Sequence, residues 1–208
     1  MDRIIGVDFD NTLVNYDEIM HKVAVHWGLI SADVRKSKND IRDQIRLLPD
    51  GEMEWQRLQS VVYGSKMDEA KLTDGVQSFF KLCKRHGTKV YIISHKTEYI
   101  NFSDTKTNLR SAAMTWMKKI RFFEGKGLGI SPEAVYFESA RHEKIERIKN
   151  LGCTHFIDDL EETFLEDLFP TNVLKILYSP HKEGPSLGEI KVVTSWQEVN
   201  DYFFPTRS

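Results

Sequence analysis

The sequence predicts an α/β fold in which helices cover both faces of a parallel sheet, together with a small domain made only of helices. From residue 73 onward the hydrophobic pattern alternates between strand and helix periods, whereas residues 14–72 have the helical period alone. Strands that alternate with helices join through right-handed crossovers into a parallel sheet. The chain of 208 residues, 40% of them hydrophobic, is long enough to bury a core.

Short apolar runs predict the strands of the sheet. In chain order these runs are 4–7, 89–93, 135–137, 155–157 and 174–178. Apolar residues at helical spacing predict helices around 76–83, 108–123, 145–151 and 195–204. The resulting order of elements is that of a Rossmann-like core.

The helical segment contains three predicted helices. Asn15 is a candidate N-cap of the first, Ser31 can cap the second, and Pro49-Asp50-Gly51 separates the second from the third at 53–62. We therefore expect a core formed by 1–13 and 73–208 and an inserted helical domain at 14–72.

Composition argues against several functional classes. The net charge of −2 comes from 29 basic and 31 acidic residues that are interspersed, so no nucleic-acid surface is evident. The first residues lack the pattern of a secretory signal, and no apolar run approaches the ~20 residues that span a bilayer. A cytoplasmic location without membrane attachment is expected, and the oligomeric state is left open. Cys83 and Cys153 lack metal-site spacing and are predicted to be buried apolar residues.

Two acids follow the first strand. Asp8 and Asp10 are two residues apart, and side chains at that spacing in an extended chain point the same way. Carboxylates held together repel each other, so such a pair indicates a bound cation or two different tasks. An ordinary strand-to-turn boundary, where Asp and Asn bond their own backbone, would also explain them.

Further polar residues lie at the ends of other predicted strands. Ser94 ends the second strand, Asp158 and Asp159 end the fourth, and Lys144 lies in the helix before it. Ligands of parallel sheets bind at the carboxyl ends of the strands, so these residues could converge on one crevice.

Each of these residues also has a structural explanation. Ser94 could satisfy a strand end, Lys144 could lie on a solvated helix face, and Asp158 with Asp159 could cap the next helix. His95 and Lys96 are positioned to contact a substrate, but a loop location would explain them equally well.

These motifs resemble those of the haloacid dehalogenase (HAD) superfamily, in its branch of aspartate-nucleophile phosphatases. DxDxT matches Asp8, Asp10 and Thr12, and the strand that ends in Ser or Thr matches 90–94. The lysine motif fits Lys144, with Lys149 or Arg141 as residues that could share its part, and the acid pair fits 158–159. The resemblance implies a Rossmann-like core with a helical cap between the first and second motifs. The long polar stretch at 95–108 departs from the family pattern.

The resemblance also implies a reaction. Asp8 would attack phosphorus and form an aspartyl phosphate, and Asp10 would protonate the leaving oxygen and then activate water. Ser94 and Lys144 would contact the phosphoryl group. Mg²⁺ would be the cofactor, bound by Asp8, the backbone carbonyl of Asp10 and Asp158, with Asp159 as a less direct ligand.

The implied substrate is a small phosphorylated metabolite, with sugar phosphates and nucleotides as the leading classes. Asp10 favours a phosphate ester over a carbon–halogen bond, because a departing halide needs no proton. The alternatives are a phosphomutase and a non-catalytic phosphate-binding or regulatory module. Candidate residues for reading the leaving group are Tyr16, Asp17, His21, Trp55, Gln56 and Arg57.

Overall fold

The computed structural model describes residues 3–99, 107–181 and 188–205, and the chain divides into two compact units. Unit 1 takes the chain up to Val14, then Leu72–Lys96, then the chain from Lys118 onward. Unit 2 combines Asn15–Lys71 with Thr97–Met117. Residues 97–117 were predicted to belong to the core, but Thr97–Met117 falls in the same unit as the helical stretch Asn15–Lys71.

Unit 1 is built on a six-stranded parallel sheet. The described part of the chain contains two further short strands outside this sheet. In chain order all the strands are β1 (Ile4–Val7), β2 (Val14–Asn15), β3 (Lys71–Leu72), β4 (Lys89–His95), β5 (Val135–Glu138), β6 (His155–Asp158), β7 (Leu174–Tyr178) and β8 (Ile190–Val193). The sheet order is β5-β4-β1-β6-β7-β8, and β2 pairs separately with β3. The predicted fold class and the five predicted core strands are confirmed. The short β8 was not predicted, because four residues that include a lysine carry little periodic signal.

The position of β1 brings three strand ends together. It pairs in parallel with β4 on one side, where Val7 is opposite Ile92, and with β6 on the other, where Val7 is opposite Ile157. The residues that follow Val7, Ile93 and Ile157 therefore emerge at the same edge of the sheet.

The helices follow the same order along the chain. They are α1 (Asp17–His26), α2 (Lys38–Arg46), α3 (Gly51–Tyr63), α4 (Val76–Arg85), α5 (Leu109–Lys119), α6 (Arg141–Asn150), α7 (Glu161–Phe164) and α8 (Trp196–Phe203). In unit 1, Ile145 and Ile148 of α6 pack in a core cluster with Phe156 of β6. Elsewhere in unit 1, Phe79 of α4 packs on Trp196 of α8, with ring centroids 5.0 Å apart. Two groups of helices thus flank the sheet.

Unit 2 contains α1, α2, α3 and most of α5. The Trp116 indole N–H of α5 donates to the Ala70 carbonyl oxygen at 3.0 Å, and the Leu109 amide donates to the Glu98 carbonyl oxygen at 2.9 Å. Buried Trp116 makes this contact from a segment that lies far along the chain from α1–α3. These contacts explain why the later segment belongs to unit 2.

The start of α2 differs from the prediction. The helix begins at Lys38, and its N-cap is Ser37, whose hydroxyl accepts from the Asp40 amide at 3.5 Å. The Asp17 carboxylate also accepts from the Lys38 amide at 2.9 Å. The Ser37 and Asp17 side chains thus accept hydrogen bonds from the first amides of α2. The cap of this helix is therefore Ser37 and not Ser31, which the sequence suggested.

Both cysteines are buried and unpaired, as the sequence predicted. Burial raises the pKa of the Cys83 and Cys153 thiols to about 12, so both remain protonated at neutral pH. None of the helices among the described residues has the length and apolar character required to cross a bilayer.

Gly6 of β1 supplies a test of this packing. A methyl group at Gly6 would lie 2.5 Å from a ring carbon of Phe156, which is fully buried. We expect Gly6→Ala to lower the free energy of unfolding by about 1–3 kcal/mol, because the ring must move within a close-packed core. Urea unfolding measures this change.

The control is Gly125→Ala, because the nearest atom to an added methyl group there lies 4.0 Å away on a lysine side chain. Its stability should stay within about 0.5 kcal/mol of the unsubstituted protein. Equal losses in the two variants would contradict the packing described for β1.

Candidate active site

The backbone fixes the segment that carries the first two acids. The Asp8 amide donates to the Ile157 carbonyl oxygen at 2.8 Å, which extends the strand geometry one residue beyond β1. The amides of Leu13 and Val14 both donate to the Phe9 carbonyl oxygen, at 3.0 and 3.1 Å. Asn11 has a φ of 60°, a left-handed conformation that Asn tolerates better than most residues. The chain therefore makes a tight turn directly after Asp8.

The turn is also anchored from the end of the chain. The Trp196 indole N–H donates to the Thr12 carbonyl oxygen at 3.1 Å, and both residues are buried. Thr12, the third residue of the DxDxT motif, thus holds the turn through its backbone. Its side-chain oxygen has no hydrogen-bond partner among the described residues.

Lys144 joins two acids at the centre of the site. Its ammonium lies 2.6 Å from Asp8 Oδ1 and 2.7 Å from Asp158 Oδ2, and all three residues are buried. The residues that the sequence offered as alternatives lie elsewhere: Lys149 is exposed, and Arg141 pairs with Glu166 at 2.9 Å. Of the three cations, Lys144 is the one that contacts the acids.

Three carboxylates can share a metal ion. Oxygen atoms of Asp8, Asp158 and Asp159 lie within 4.8 Å of one another. Asp158 also accepts from the Leu160 amide at 3.0 Å, so it supports the turn before α7 while keeping its second oxygen on Lys144. A set of carboxylate oxygens suits a hard divalent cation such as Mg²⁺.

The charges of this group favour a cation. Burial raises the pKa of Asp8 to about 8; Lys144 opposes that rise, while Asp158 and Asp159 add to it. Burial disfavours the ammonium of Lys144, but the carboxylates of Asp158 and Asp8 outweigh it and raise the pKa of Lys144. Lys144 therefore stays charged. The three acids, when ionised, carry more negative charge than one lysine can neutralise, so the group can accept a cation.

Asp10 lies with a different lysine. The Lys96 ammonium contacts both carboxylate oxygens of Asp10, at 3.0 and 2.7 Å, and the Lys96 side chain is 2% exposed. Ser94, two residues before Lys96, is buried at the carboxyl end of β4. From the sequence, Lys96 is a possible substrate contact or a loop residue, and its contact with Asp10 was not predicted. The signal that could have identified it is the position of Lys96 two residues after Ser94, directly past the end of β4.

Other predicted contacts have structural partners. His95 is exposed, and its Nε2 lies 3.1 Å from the Ser139 carbonyl oxygen, so this nitrogen carries the proton and donates. Residues 100–106 of the polar stretch at 95–108 lie outside the described residues.

The candidate residues for reading the leaving group belong to unit 2. Tyr16, His21 and Trp55 are buried. The Arg57 guanidinium lies 4.8 Å from the centroid of the Trp27 ring, and Gln56 donates to Glu52 at 3.3 Å. Asp17 accepts from the Lys38 amide. All six residues therefore lie in the interior of unit 2 or bond to its other residues.

The raised pKa of Asp8 predicts how the stability of the metal-free protein depends on pH, which can be tested in the presence of a metal chelator. A carboxyl group with a raised pKa binds more protons in the folded than in the unfolded state, so stability falls as pH rises from about 4 towards 8. Asp8→Asn removes this dependence. The melting temperature of the variant should exceed that of the unsubstituted protein by several degrees at pH 9, and by much less at pH 5.

Asp43→Asn is the control, because Asp43 is an exposed acid paired with Arg42. It should leave the pH dependence of the melting temperature unchanged. A melting temperature for Asp8→Asn below that of the unsubstituted protein at pH 9 would contradict the electrostatics described above.

Comparisons with known proteins place this site on a familiar fold. No protein-family model and no curated protein sequence matches the chain. Among solved structures, a haloacid dehalogenase-like family protein from Streptococcus pneumoniae matches with a TM-score of 0.61 and 15% identity, over 97% of this chain and 98% of that one. A HAD family hydrolase from Deinococcus radiodurans R1 with bound phosphate and sodium matches with a TM-score of 0.59 and 14% identity, over 97% and 95%.

A phosphoserine phosphohydrolase-like protein from Francisella tularensis matches with a TM-score of 0.57 and 15% identity, over 98% of this chain and 100% of that one. Dehalogenase structures also match, at 12–13% identity. The TM-scores and coverages establish a common architecture, whereas the identities are low. The chain therefore has the fold of the HAD-superfamily hydrolases.

Proposed function

We propose that this protein is a Mg²⁺-dependent phosphatase that hydrolyses a small phosphorylated metabolite through an aspartyl-phosphate intermediate. The observation that carries the proposal is the separation of the acids into two groups, each with its own buried lysine. One group can bind a cation beside a nucleophile, and the other offers a carboxylate for proton transfer. Sugar phosphates and nucleotides are the proposed substrate classes.

Asp8 is the proposed nucleophile. One carboxylate oxygen of Asp8 attacks phosphorus, the bond from phosphorus to the leaving oxygen breaks, and water later hydrolyses the acyl phosphate. The pairing of one Asp8 oxygen with Lys144 supports this role, because it leaves the second oxygen available.

Positive charge is needed because both the nucleophile and a phosphate monoester are anionic. Asp8 and Asp158, with the backbone carbonyl of Asp10 and with Asp159 in a less direct role, would hold Mg²⁺. When bound, the cation neutralises charge on the phosphoryl oxygens. Lys144 contributes a second fixed positive charge, and the Ser94 hydroxyl donates to a phosphoryl oxygen.

Asp10 distinguishes phosphate ester hydrolysis from dehalogenation. An alkoxide leaving group needs a proton, which Asp10 provides, and the attacking water gives a proton back to Asp10. Because dehalogenase structures share this fold, the acid at position 10 is the residue that supports the phosphatase assignment. Selection of the leaving group is assigned to unit 2, whose first stretch, Asn15–Lys71, corresponds in chain position to the helical cap of the family.

The test is a panel of sugar phosphates, nucleotides and p-nitrophenyl phosphate, incubated with the purified protein in Mg²⁺ or in chelator. We expect release of inorganic phosphate from at least one compound in Mg²⁺ and a large loss in chelator. Asp8→Asn should lower kcat by about 10³-fold or more, because the nucleophile is removed.

Asp43→Asn serves as the matched control, and its kcat should equal that of the unsubstituted protein. Including a haloacid in the panel tests dehalogenation, and product analysis separates hydrolysis from transfer of the phosphoryl group back to the substrate. Halide release, phosphoryl return, or binding of phosphate without turnover would each replace the proposed function with one of its alternatives.

A further inference from the structure

We propose that Lys96 is a positioning residue for Asp10, which it holds in one orientation, apart from the carboxylates that bind the cation. The inference rests on the proposed phosphatase function and adds a residue that the sequence motifs do not include. It also predicts which substrates depend on that residue.

The sheet determines where Lys96 lies. Its amide donates to the Glu138 carbonyl oxygen at 2.8 Å, which continues the pairing of β4 with β5 one residue past His95. In this extended geometry Lys96 points the same way as Ser94. Asp10 lies in the turn that follows Asp8, after the end of β1, the strand next to β4. The Lys96 and Asp10 side chains therefore meet at the edge of the sheet where β4 and β1 end.

The contact fixes the carboxylate of Asp10. The ammonium contacts both carboxylate oxygens, at 3.0 and 2.7 Å, so rotation of the carboxylate would break at least one of these contacts. The ammonium also lies 5.7 Å from the centroid of the Phe9 ring, and that ring is fully buried against Phe137. The Phe9 ring thus helps to hold the Lys96 ammonium in place.

Without Lys96, the Asp10 carboxylate could instead bind the cation of the neighbouring acids. Asp8, Asp158 and Asp159 form the group that attracts a cation, and Asp10 is only two residues from Asp8. A carboxylate is a good ligand for such a cation, so an unrestrained Asp10 would be drawn towards it. Lys96 supplies the competing positive charge and keeps Asp10 available for the leaving oxygen.

The role of Asp10 determines the readout. Its proton matters for a strongly basic leaving group and little for a weakly basic one. Phenyl phosphate and p-nitrophenyl phosphate are similar in shape, but the nitrophenolate is the weaker base. A residue that acts through Asp10 must therefore affect phenyl phosphate more than p-nitrophenyl phosphate.

The experiment measures kcat and KM for both compounds in Mg²⁺, with Lys96→Met, Lys96→Arg, Asp10→Asn and the double variant Lys96→Met with Asp10→Asn. We expect Lys96→Met to lower kcat for phenyl phosphate at least tenfold more than for p-nitrophenyl phosphate, with KM changed less than about twofold. Asp10→Asn should give the same preference, and the double variant should be no slower than Asp10→Asn alone. Lys96→Arg should retain most of the activity.

Lys66→Met is the matched control, because Lys66 pairs with Glu69 at 2.6 Å on the surface. It should change neither compound's kcat. Should Lys96→Met fail to fold, Lys96→Arg and Lys96→Gln carry the comparison, and Lys96→Gln should then show the same leaving-group preference as Lys96→Met.

Two outcomes overturn the role of Lys96 while leaving the phosphatase intact: equal losses for both compounds, or a rise in KM at constant kcat. A different result would contradict the proposed function itself: either the unsubstituted protein releases no phosphate, or Asp8→Asn releases as much phosphate as the unsubstituted protein. That result would overturn both proposals.

Discussion

The ion pairs of Lys144 with Asp8 and Asp158 are the interactions on which the candidate site depends. Buried carboxylates are tolerated only where positive charge and hydrogen bonds replace water, and Lys144 supplies both to two strands at once. The lysine reaches them because Ile145 and Ile148 anchor α6 in the core of unit 1. Hydrophobic packing of one helix therefore sets the position of a charge between β1 and β6.

A second lysine divides the electrostatic work. Lys96 neutralises Asp10 at the end of β4, as Lys144 neutralises Asp8 and Asp158. Two acids that follow β1 and lie two residues apart therefore meet different cations, one on α6 and the other after β4. One short segment can in this way present two carboxylates with different surroundings, which is what different chemical roles require.

The sequence was sufficient for the fold class. Periodicity identified the five core strands, and the strand ends pointed to Asp8, Ser94 and Asp158, with Lys144 on the helix before the fourth strand. It could not identify α5 as part of the helical unit, because the bond from Trp116 to Ala70 joins distant parts of the chain and leaves no local pattern. The pairing of Lys96 with Asp10 was missed for a similar reason: the partner of a lone lysine after a strand becomes known only when the fold brings the two together.

The composition of unit 2 from two stretches of chain has a consequence for protein engineering. A chimera that exchanges only the first stretch would separate Trp116 from the backbone oxygen that it binds, leaving a buried indole N–H without its acceptor. Transplanting the helical unit onto another core of this fold therefore requires two grafts, one on each side of β4. The unit is therefore a pair of matched segments rather than one continuous segment that can be exchanged alone.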